Sequence, residues 1–413
     1  MGTKSNSEWT DLRPYNETHP WLAFGLGTPC LPPDLLAQLG GVSARCKVLE
    51  GVYLHPKVSG TLHSIYLAKG VHGTTAIEGN SLTEGDVRRR ISGGKEAPKS
   101  LEYQEQEVDN VIAACNAVKE RVVNQEWTTE ISVERIKEYN ALVLKDLPLE
   151  DGVVPGEIRD YPVGVFDYVA PEWGSCDELL HRLCLWLNKH DALPPDDHPV
   201  VNAILRAILC HVYVAWIHPF GDGNGRTARL LEVHILMAAG VPSIAAHLLS
   251  NHYNRTRNEY FRHLAQASKS GGDLVPFIKY AIQGFQDGLE EQFSRIEKHQ
   301  ADVAWRDYVY SVFQSENGIT ARRRRQLILA IGARPRFVST KKLTHLTPEL
   351  AALYAVKTPK TLSRDLNALK KMGLVTVIKG NVLASTWRLN AFKPDARKQQ
   401  VKAATKIKAP PAA

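Results

Sequence analysis

The feature of the sequence that most constrains its fold is one strongly apolar segment near its middle. Residues 200–217 read VVNAILRAILCHVYVAWI and are apolar on nearly every side of a helical wheel. An amphipathic helix can lie at a protein surface, but a helix that is apolar all round must be enclosed by other elements. The segment therefore predicts a central buried helix with a domain built around it.

Other segments supply the elements that would enclose this helix. Apolar residues at spacings of three and four predict helices near 35–39, from Pro56 to about 80, and over 102–122, 133–145, 176–189, 226–239, 254–270 and 274–297. Between 152 and 173, glycine, proline, β-branched and aromatic residues replace the helical period. They predict a short β-hairpin with strands near Tyr161–Val165 and Tyr168–Ala170. We expect a mainly α fold with one small hairpin.

The distribution of charge divides the chain. The net charge of the 413 residues is +7, but Ile319–Ala413 contain 21 Lys and Arg against 3 Asp and Glu, which gives +18 there and 7 − 18 = −11 for the rest. A basic module on an acidic body suggests that the module binds a polyanion. We expect an N-terminal region over 1–100, a core domain over 101–300, a small domain over 301–390 and a disordered basic tail over 391–413.

Cysteine usage and the N-terminal sequence indicate where the protein works. The six cysteines form no CxxC pair and have no neighbouring histidine cluster, so we expect neither a zinc site nor a disulfide framework. The first residues are polar and contain no apolar signal segment. No uninterrupted apolar run reaches the roughly 18 to 20 residues of a membrane helix. We expect a cytoplasmic protein with reduced thiols and no membrane partner.

The segment that follows the apolar helix, HPFGDGNGRTAR, carries the groups for chemistry. Its glycines let backbone N–H groups approach a ligand, and the next helix presents its positive N-terminus, where phosphate can bind. Asp222 would repel phosphate unless a cation lay between them, which suggests Mg²⁺. Arg226 and Arg229 lie on one helical face, where both can bind phosphate. His218 titrates near neutrality and can accept a proton from a hydroxyl group.

Simpler interpretations exist for each part of this segment. A single histidine after an apolar helix is commonly a cap or a core contact, and a single GxG is commonly a turn. The run from Asp222 resembles the start of a calcium-binding loop, but its twelfth position is Val233 rather than a bidentate glutamate. Gly93-Gly94-Lys95 resembles part of a P-loop, but Glu96 follows where Ser or Thr is needed. The combination of all these groups in one short segment favours a functional site.

Residues 218–229 resemble the signature HPFx[D/E]GNGRxxR of the Fic family at every defined position. The resemblance covers roughly 60–300 and includes 106–114, Pro155–Arg159 and Gly272–Phe277. It implies an enzyme that transfers AMP from ATP to Ser, Thr or Tyr hydroxyl groups of proteins, with His218 as the catalytic base and Asp222 as the Mg²⁺ ligand. It implies that ATP is bound by Phe220, Gly223, Asn224, Gly225, Arg226, Arg229, Tyr260 and Ser268.

Two further expectations come from the same resemblance. The hairpin resembles the family's flap, which binds a target peptide as an added strand; the residues concerned are Tyr161, Pro162, Val163, Gly164 and Val165. Ser268 stands where some family members carry Asn, which leaves room for a nucleotide donor other than ATP.

The segment Thr74-x-x-x-Glu78-Gly79-Asn80 resembles the inhibitory motif [S/T]xxxE[G/N] of the subgroup with an N-terminal inhibitory helix, here about 56–80. By this resemblance, Glu78 pairs with Arg229 and occupies the place of the γ-phosphate. The simpler interpretation is a glutamate at a helix end that makes a surface pair of little energetic weight. In some family members the same glutamate supports the removal of AMP by orienting water. The sequence leaves these alternatives open.

Beyond residue 300, the predicted order is helix 321–331, a strand near 338–342, helices 348–354 and 358–372, and a hairpin ending at Trp387. This order is typical of a winged helix-turn-helix. The third helix carries side chains of the types that read a DNA groove, namely Lys360, Thr361, Ser363, Arg364 and Asn367. Winged helices also bind proteins, so DNA is the favoured partner and protein the alternative.

Two classes of function follow. The first is an adenylyltransferase restrained by Glu78, with ATP and a hydroxyl-bearing protein as its substrates and Mg²⁺ as its cofactor; an enzyme that removes AMP, or does both, is a variant of it. The second is a DNA-binding regulator in which the Fic-like domain senses a nucleotide. The intact catalytic residues favour the first. A homodimer is left open.

Overall fold

The structure is a computed structural model that describes residues 14–26, 31–94, 99–126, 128–165, 167–189, 198–390, 392 and 394–406. By internal packing the chain divides into two compact units, Met1–Gln292 and Phe293–Ala413. The predicted N-terminal region and core domain therefore belong to one unit. The division falls inside a single long helix, Val275–Val312, because that helix continues well past the predicted end at 297.

Unit 1 is almost entirely helical. Its helices are α1 Pro14–Thr18, α2 Pro33–Glu50, α3 Pro56–Ala76, α4 Glu84–Ile91, α5 Glu102–Val123, α6 Val133–Val143, α7 Cys176–Leu187, α8 Pro199–Ile217, α9 Asn224–Ala238, α10 Leu248–Arg255, α11 Arg257–Lys269 and the first part of α12 Val275–Val312. The predicted helix 254–270 is two helices, since the chain breaks at Thr256.

The central helix of unit 1 is α8, as its sequence predicts. Sixteen of its residues are buried, and α9 packs directly against it. Its length and its mean hydropathy of 1.8 would allow it to cross a membrane, but 83% of that window is buried inside the protein. The core helix of a soluble protein can be equally long and apolar, so we interpret α8 as the core of unit 1. The cysteines at 46, 115, 176, 184 and 210 are buried and free.

A two-stranded antiparallel hairpin interrupts the helices between α6 and α7. Strand β1, Gly164–Val165, pairs with β2, Tyr168–Val169, with Gly164 opposite Val169 and Val165 opposite Tyr168. The strands are shorter than predicted. The hairpin is tied to the core because Tyr168 Oη donates to the Trp216 carbonyl at 2.6 Å.

Unit 2 combines helices with a small three-stranded sheet. It contains the last part of α12, α13 Ile319–Gly332, β3 Val338–Ser339, α14 Pro348–Tyr354, α15 Pro359–Lys371, β4 Val375–Ile378, β5 Asn381–Ala384 and α16 Ala396–Lys406. The sheet is antiparallel with the order β3-β5-β4. Its core includes Trp305, Phe313, Leu327, Leu369 and Val382.

The expected disorder after residue 391 is wrong for Ala396–Lys406, which form α16. The segment is rich in Ala, Lys, Arg and Gln, which are good helix formers. Gln400 anchors it, because its side-chain amide donates to the Ala384 carbonyl at 2.9 Å and to Thr386 Oγ1 at 2.6 Å. The predicted tail beyond residue 406 lies outside the described residues.

Candidate functional site

The loop between α8 and α9 is shaped by two residues in the left-handed conformation. His218 ends α8 with φ 48°, and its N–H donates to Val214 O at 2.9 Å. Gly223 precedes α9 with φ 77°, a conformation that glycine adopts without cost. The Asn224 side chain closes the loop, since it accepts from Phe220 N at 3.0 Å and donates to Phe220 O at 2.8 Å. The first N–H groups of α9 are thereby directed towards the loop.

His218 is held as a neutral imidazole. Its Nδ1 lies 3.3 Å from the Ala215 carbonyl, which can only accept, so Nδ1 carries the hydrogen and Nε2 is the basic nitrogen. Burial lowers the pKa of His218 below its ordinary value of 6.5, against the smaller opposing effect of the Ala215 carbonyl. A neutral histidine with a free lone pair is suited to accept a proton at neutral pH.

Arg226 is bound by two carboxylates. Its guanidinium donates to Glu107 Oε1 at 2.5 Å and to Asp222 Oδ1 at 2.7 Å. Arg226 and Glu107 are buried, whereas the Asp222 side chain is 42% exposed. Asp222 Oδ1 also accepts from Gly223 N at 2.5 Å. The other carboxylate oxygen, Oδ2, has no hydrogen-bond partner among the described residues and is available to a cation.

Glu107 is a residue that the sequence analysis missed. It lies on α5 among buried residues of the same helix face, and Asn80 Nδ2 donates to its Oε2 at 2.8 Å. Burial raises the pKa of Glu107, an effect that Arg226 and Asn80 oppose. A glutamate inside the apolar stripe of a helix was the available signal, because such a residue needs a charged partner.

Arg229 is paired with Glu78, the contact that the resemblance of Thr74–Asn80 to an inhibitory motif predicts. The Arg229 guanidinium donates to Glu78 Oε1 and, at 3.0 Å, to the Thr74 carbonyl. Burial acts to raise the pKa of Glu78, but the Arg229 guanidinium outweighs it and the pKa lies below its usual value. A Cβ at Gly225 would collide with Glu78 Oε1. A larger residue at 225 would therefore displace the Glu78 carboxylate from its place beside Arg229.

The motif at the C-terminal end of α3 reaches the loop through both arginines. Glu78 contacts Arg229, while Asn80 reaches Arg226 through Glu107. Gly79 between them has φ 105°, which turns the chain so that neighbouring side chains face the same loop. The Nε atoms of both arginines are buried without a hydrogen-bond partner in the part of the chain that the structure describes.

These groups border one cavity of about 1110 Å³. Of the predicted residues, those that line it are Glu78, Val165, His218, Asp222, Gly223, Asn224, Gly225, Tyr260 and Ser268. Arg226 and Arg229 lie buried behind the glycines, and Phe220 is buried in the core, where its backbone anchors the loop. Thr74, Gly79 and Asn80 do not line the cavity. Of the predicted flap, Tyr161, Pro162, Val163 and Gly164 do not line the cavity.

Tyr260 enters the cavity wall from a buried polar network. Its hydroxyl lies 2.9 Å from His211 Nε2, and His211 Nδ1 lies 3.2 Å from Glu232 Oε1. Tyr253 donates to the same glutamate oxygen at 3.0 Å. The network fixes the Tyr260 ring. Ser268 Oγ donates instead to the Ala265 carbonyl at 3.0 Å, which turns its hydroxyl away from a ligand.

Arg159 fastens the hairpin to the loop. Its guanidinium donates to three carbonyls: His218 O at 2.8 Å, Tyr161 O at 2.8 Å and Pro171 O at 2.7 Å. At Gly221 a Cβ would collide with Tyr161 Oη, so the glycine lets the tyrosine pack against the loop. The hairpin and His218 are therefore held in a fixed relation to each other.

Residues 130–236 match the model of the Fic/DOC family. The chain contains a Fic/DOC domain. Two curated relatives, both named protein adenylyltransferase fic-1, are 32% identical over 235 residues in Caenorhabditis briggsae and 35% identical over 222 residues in Caenorhabditis elegans. These alignments cover 56% and 53% of this chain but only 42% and 40% of the relatives. The chain thus matches about two fifths of their length.

Solved structures resemble the chain beyond the Fic/DOC domain. A Fic family protein from Desulfovibrio desulfuricans G20 has a TM-score of 0.53 and 22% identity and covers 86% of this chain and 97% of its own, which is a likeness of fold. A Fic-1 fragment from Caenorhabditis elegans has a TM-score of 0.51 and 27% identity, with coverage of 64% and 73%.

Proposed function

We propose that this protein transfers AMP from ATP to hydroxyl side chains of target proteins. The observation that carries the proposal is a neutral, partly buried His218 in one cavity with the exposed carboxylate of Asp222 and the N-terminus of α9. Such a set provides a proton acceptor, a cation ligand and an anion site around one reacting phosphate. The names of the relatives agree with this reaction.

In the proposed reaction, the target's hydroxyl oxygen attacks the α-phosphorus of ATP. The bond from that phosphorus to the pyrophosphate oxygen breaks, pyrophosphate leaves, and AMP stays on the target oxygen. The hydroxyl proton passes to Nε2 of His218, whose Nδ1 is fixed by the Ala215 carbonyl. Phosphoryl-transfer catalysis depends mainly on positioning and on stabilisation of charge. The α9 N-terminus and Arg226 supply that stabilisation.

Mg²⁺ is the cofactor that fits these residues. Among the described residues no cluster of three potential ligands from His, Cys, Asp and Glu exists, and Mg²⁺ is usually bound by one or two carboxylates together with substrate phosphates. Asp222 would hold it through Oδ2. When bound, the ion neutralises phosphate charge.

We further propose that Glu78 restrains this activity. Arg229 needs a γ-phosphate partner in the proposed complex, but it already has a carboxylate partner in Glu78. The Glu78 side chain is 35% exposed at the cavity, so a ligand can displace it at the cost of breaking the pair. ATP bound without Arg229 would be misplaced, and a displacement of about 1 Å can cost on the order of a hundredfold in rate.

The test uses α-labelled ATP and Mg²⁺ with the unaltered chain, Glu78→Gly and His218→Ala. We expect label on Glu78→Gly, at least tenfold less on the unaltered chain, and none when His218→Ala is added to Glu78→Gly. Glu84→Gln, a nearby glutamate outside the cavity, is the matched control and should behave like the unaltered chain. Equal labelling of the unaltered chain and Glu78→Gly would refute the proposed restraint by Glu78. Absence of label from every variant would refute the proposed transfer reaction.

Unit 2 supports a second function, the binding of double-stranded DNA by a winged helix-turn-helix. One face of α15 is exposed and basic, and contains no carboxylate: Lys360, Ser363, Arg364, Asn367, Lys370 and Lys371. The only acidic residue of this helix, Asp365, is buried on the other side. The turn at Lys379–Gly380, with φ 45° and 72°, forms the tip of the β4–β5 hairpin, which would be the wing. Such a face suits a major groove.

Fluorescence anisotropy with a short DNA duplex at several salt concentrations tests this second function. We expect log K to fall linearly with log salt, and the slope to decrease by about one for each phosphate-binding residue removed, as in Arg364→Ala. Arg262→Ala, an exposed arginine of unit 1, is the control. No binding at low salt would refute DNA as the partner and favour a protein.

A further inference from the structure

The segment Pro14–Leu26, which the sequence analysis left unassigned, lies along the hairpin. His19 is 8% exposed, and its Nε2 is 2.9 Å from the Val169 carbonyl of β2. The carbonyl can only accept, so Nε2 is the donor. Thr18 Oγ1 lies 2.8 Å from His19 Nδ1 and can donate to it. The outer edge of β2 is therefore covered by this N-terminal segment.

The register of the hairpin shows which main-chain groups point outward. Ala170 N donates to Val163 O at 3.1 Å, so residues 163 and 170 form a hydrogen-bonded pair. The next pair, Gly164 and Val169, is then of the non-hydrogen-bonded kind, whose N–H and C=O groups point away from the partner strand. On β2 the outward carbonyl is taken by His19. On β1, Gly164 is exposed, and no further strand pairs with it in the part of the chain that the structure describes.

The side chains of the same segment form an aromatic surface beside the hairpin. The Trp21 ring lies 6.4 Å from that of Tyr168 and 5.0 Å from that of His19, measured between centroids. Trp21 also fills the space beside Gly272, where a Cβ would come within 3.2 Å of it. Tyr168 is the cross-strand partner of Val165, so these two side chains share one face of the hairpin.

The segment is fixed to unit 1 on both sides of this surface. Tyr15 donates to Glu178 Oε1 at 3.1 Å. Phe24 stacks on Tyr213 with centroids 5.2 Å apart, and Gly25 N donates to Tyr213 Oη at 3.1 Å. These contacts hold the segment in place against unit 1, beside the hairpin.

The N-terminal segment faces the cavity that contains His218. Tyr15, Thr18, His19 and Trp21 line it together with Val165 and Tyr168, whereas Tyr260 to Ser268 contribute the lining from α11. Pockets for small ligands commonly measure about 300 to 1,000 Å³, and this cavity of about 1110 Å³ is slightly larger than that range. The N-terminal segment forms the part of its lining beside the hairpin.

We propose that Pro14–Leu26 is part of the binding site for the target polypeptide and selects an apolar side chain near the modified residue. This proposal rests on the proposed adenylyl transfer. Because His19 blocks β2, an extended target segment adds to β1 through Gly164. The acceptor residue then lies opposite Val165, on the face that lines the cavity. A residue two positions away is on the same face of the added strand and points towards the cavity that Trp21 and Tyr168 line.

The test uses short peptides with one central threonine and with Leu, Ser or Asp two positions away, in the Glu78→Gly background. We expect kcat/KM for the Leu peptide to exceed that for the Asp peptide about tenfold. Trp21→Ala should reduce this preference to less than twofold with an unchanged KM for ATP, while Trp21→Phe should retain most of it. His19→Ala should raise the KM for all the peptides, and His19→Gln, whose amide can still donate to Val169 O, should not.

Ala23→Ser, at an exposed position of the same segment, is the control and should change nothing. An unchanged preference in Trp21→Ala overturns the proposal, and so does self-modification by Glu78→Gly without modification of any peptide. A Glu78→Gly protein that labels neither itself nor a peptide refutes adenylyl transfer instead, which separates the two failures.

Discussion

Both units bury arginine–carboxylate pairs, but the pairs have different surroundings. In unit 2, Arg323 and Arg324 donate to Asp365 at 2.7 and 2.9 Å, and Tyr354 donates to the same carboxylate at 2.9 Å. Asp365 is 1% exposed, and Arg323 and Tyr354 are buried with it, while the Arg324 side chain is 23% exposed. In unit 1, Arg226 and Arg229 are paired with Glu107 and Glu78 directly behind an open cavity.

The difference teaches when such a pair can be exchanged. A ligand that enters the cavity can replace Glu78 on Arg229, because one side of the pair is open to it. No ligand reaches Asp365, so its pairs can only hold α13, α14 and α15 together. The charges of unit 1 are therefore expected to act in function, and those around Asp365 in stability. Four experiments test this contrast, described from the largest expected effect to the smallest.

Asp365→Asn should destabilise unit 2 by about 3 to 5 kcal/mol, because it leaves two guanidinium groups without a buried counter-charge. Hydrogen exchange of the full chain measures this locally, and AMP transfer should not change. Asp395→Asn is the matched control, since Asp395 is exposed and its ion pair with Lys398 is worth little. A loss of less than 1 kcal/mol would mean that the buried pairs of unit 2 are dispensable.

Arg229→Ala in the Glu78→Gly background should reduce AMP transfer by a hundredfold or more, about 3 kcal/mol, because a charge-stabilising group of the transition state is lost. Initial rates with labelled ATP measure it. Arg255→Ala, which removes an exposed arginine of α10, should have no effect. A decrease in rate of less than threefold would indicate that Arg229 has a structural role, like Arg323 and Arg324.

Glu107→Gln should lower the rate of transfer on the order of tenfold, about 1.4 kcal/mol, by loosening the Arg226 guanidinium that it orients. Melting temperatures and rates are measured together. Glu102→Gln, exposed on the same helix, is the control. If the variant loses stability but transfers AMP at the unaltered rate, Glu107 resembles Asp365 in its role.

As the pH falls, the rate of AMP transfer should decrease first and the stability of unit 2 should decrease afterwards. The proposed transfer needs neutral His218, whose pKa lies below 6.5, so the rate should stay level above that pH and fall as the pH drops through the lowered pKa. Burial acts to raise the pKa of Asp365, but its three donors outweigh it and bring the pKa below the ordinary 3.8. Stability from Asp365 is present above that range and is lost only as the pH falls through the lowered pKa.

A pH–rate profile and a pH–stability profile of the same preparation compare the units directly. If unit 2 unfolded at a higher pH than the one at which transfer is lost, the roles assigned to His218 and Asp365 would be wrong.

The sequence predicted the parts of the site that are local. His218 to Arg229 are contiguous, so a loop between two helices could be described with its glycines, its acid and its arginines. The buried α8 and the element order of unit 2 followed from apolar spacing. The contact of Glu78 with Arg229 was predicted from a family resemblance, since no spacing in the sequence joins residues so far apart.

The remaining parts depend on packing between distant segments. Glu107 meets Arg226, and His19 meets Val169, only because α5 and the N-terminal segment fold onto the same domain. The position of Glu107 in an apolar stripe signals that it needs a charged partner but not which one, and nothing in the local sequence signals the contact of His19 with Val169. The cytoplasmic location stays a prediction, as does the homodimer that was left open. The helix α16 was not predicted, because a segment rich in like charge is typical of disorder although its Ala, Lys, Arg and Gln are also good helix formers.

The left-handed backbone at His218 bears on how the protein could be prepared for structural work. A non-glycine residue with φ 48° is tolerated best when it is Asn or Asp, and less well when it is most other residues. For crystals of a trapped nucleotide–target complex, His218→Asn is therefore a better inert form than His218→Ala. It removes the proton acceptor while it keeps the turn that aims α9 at its ligand.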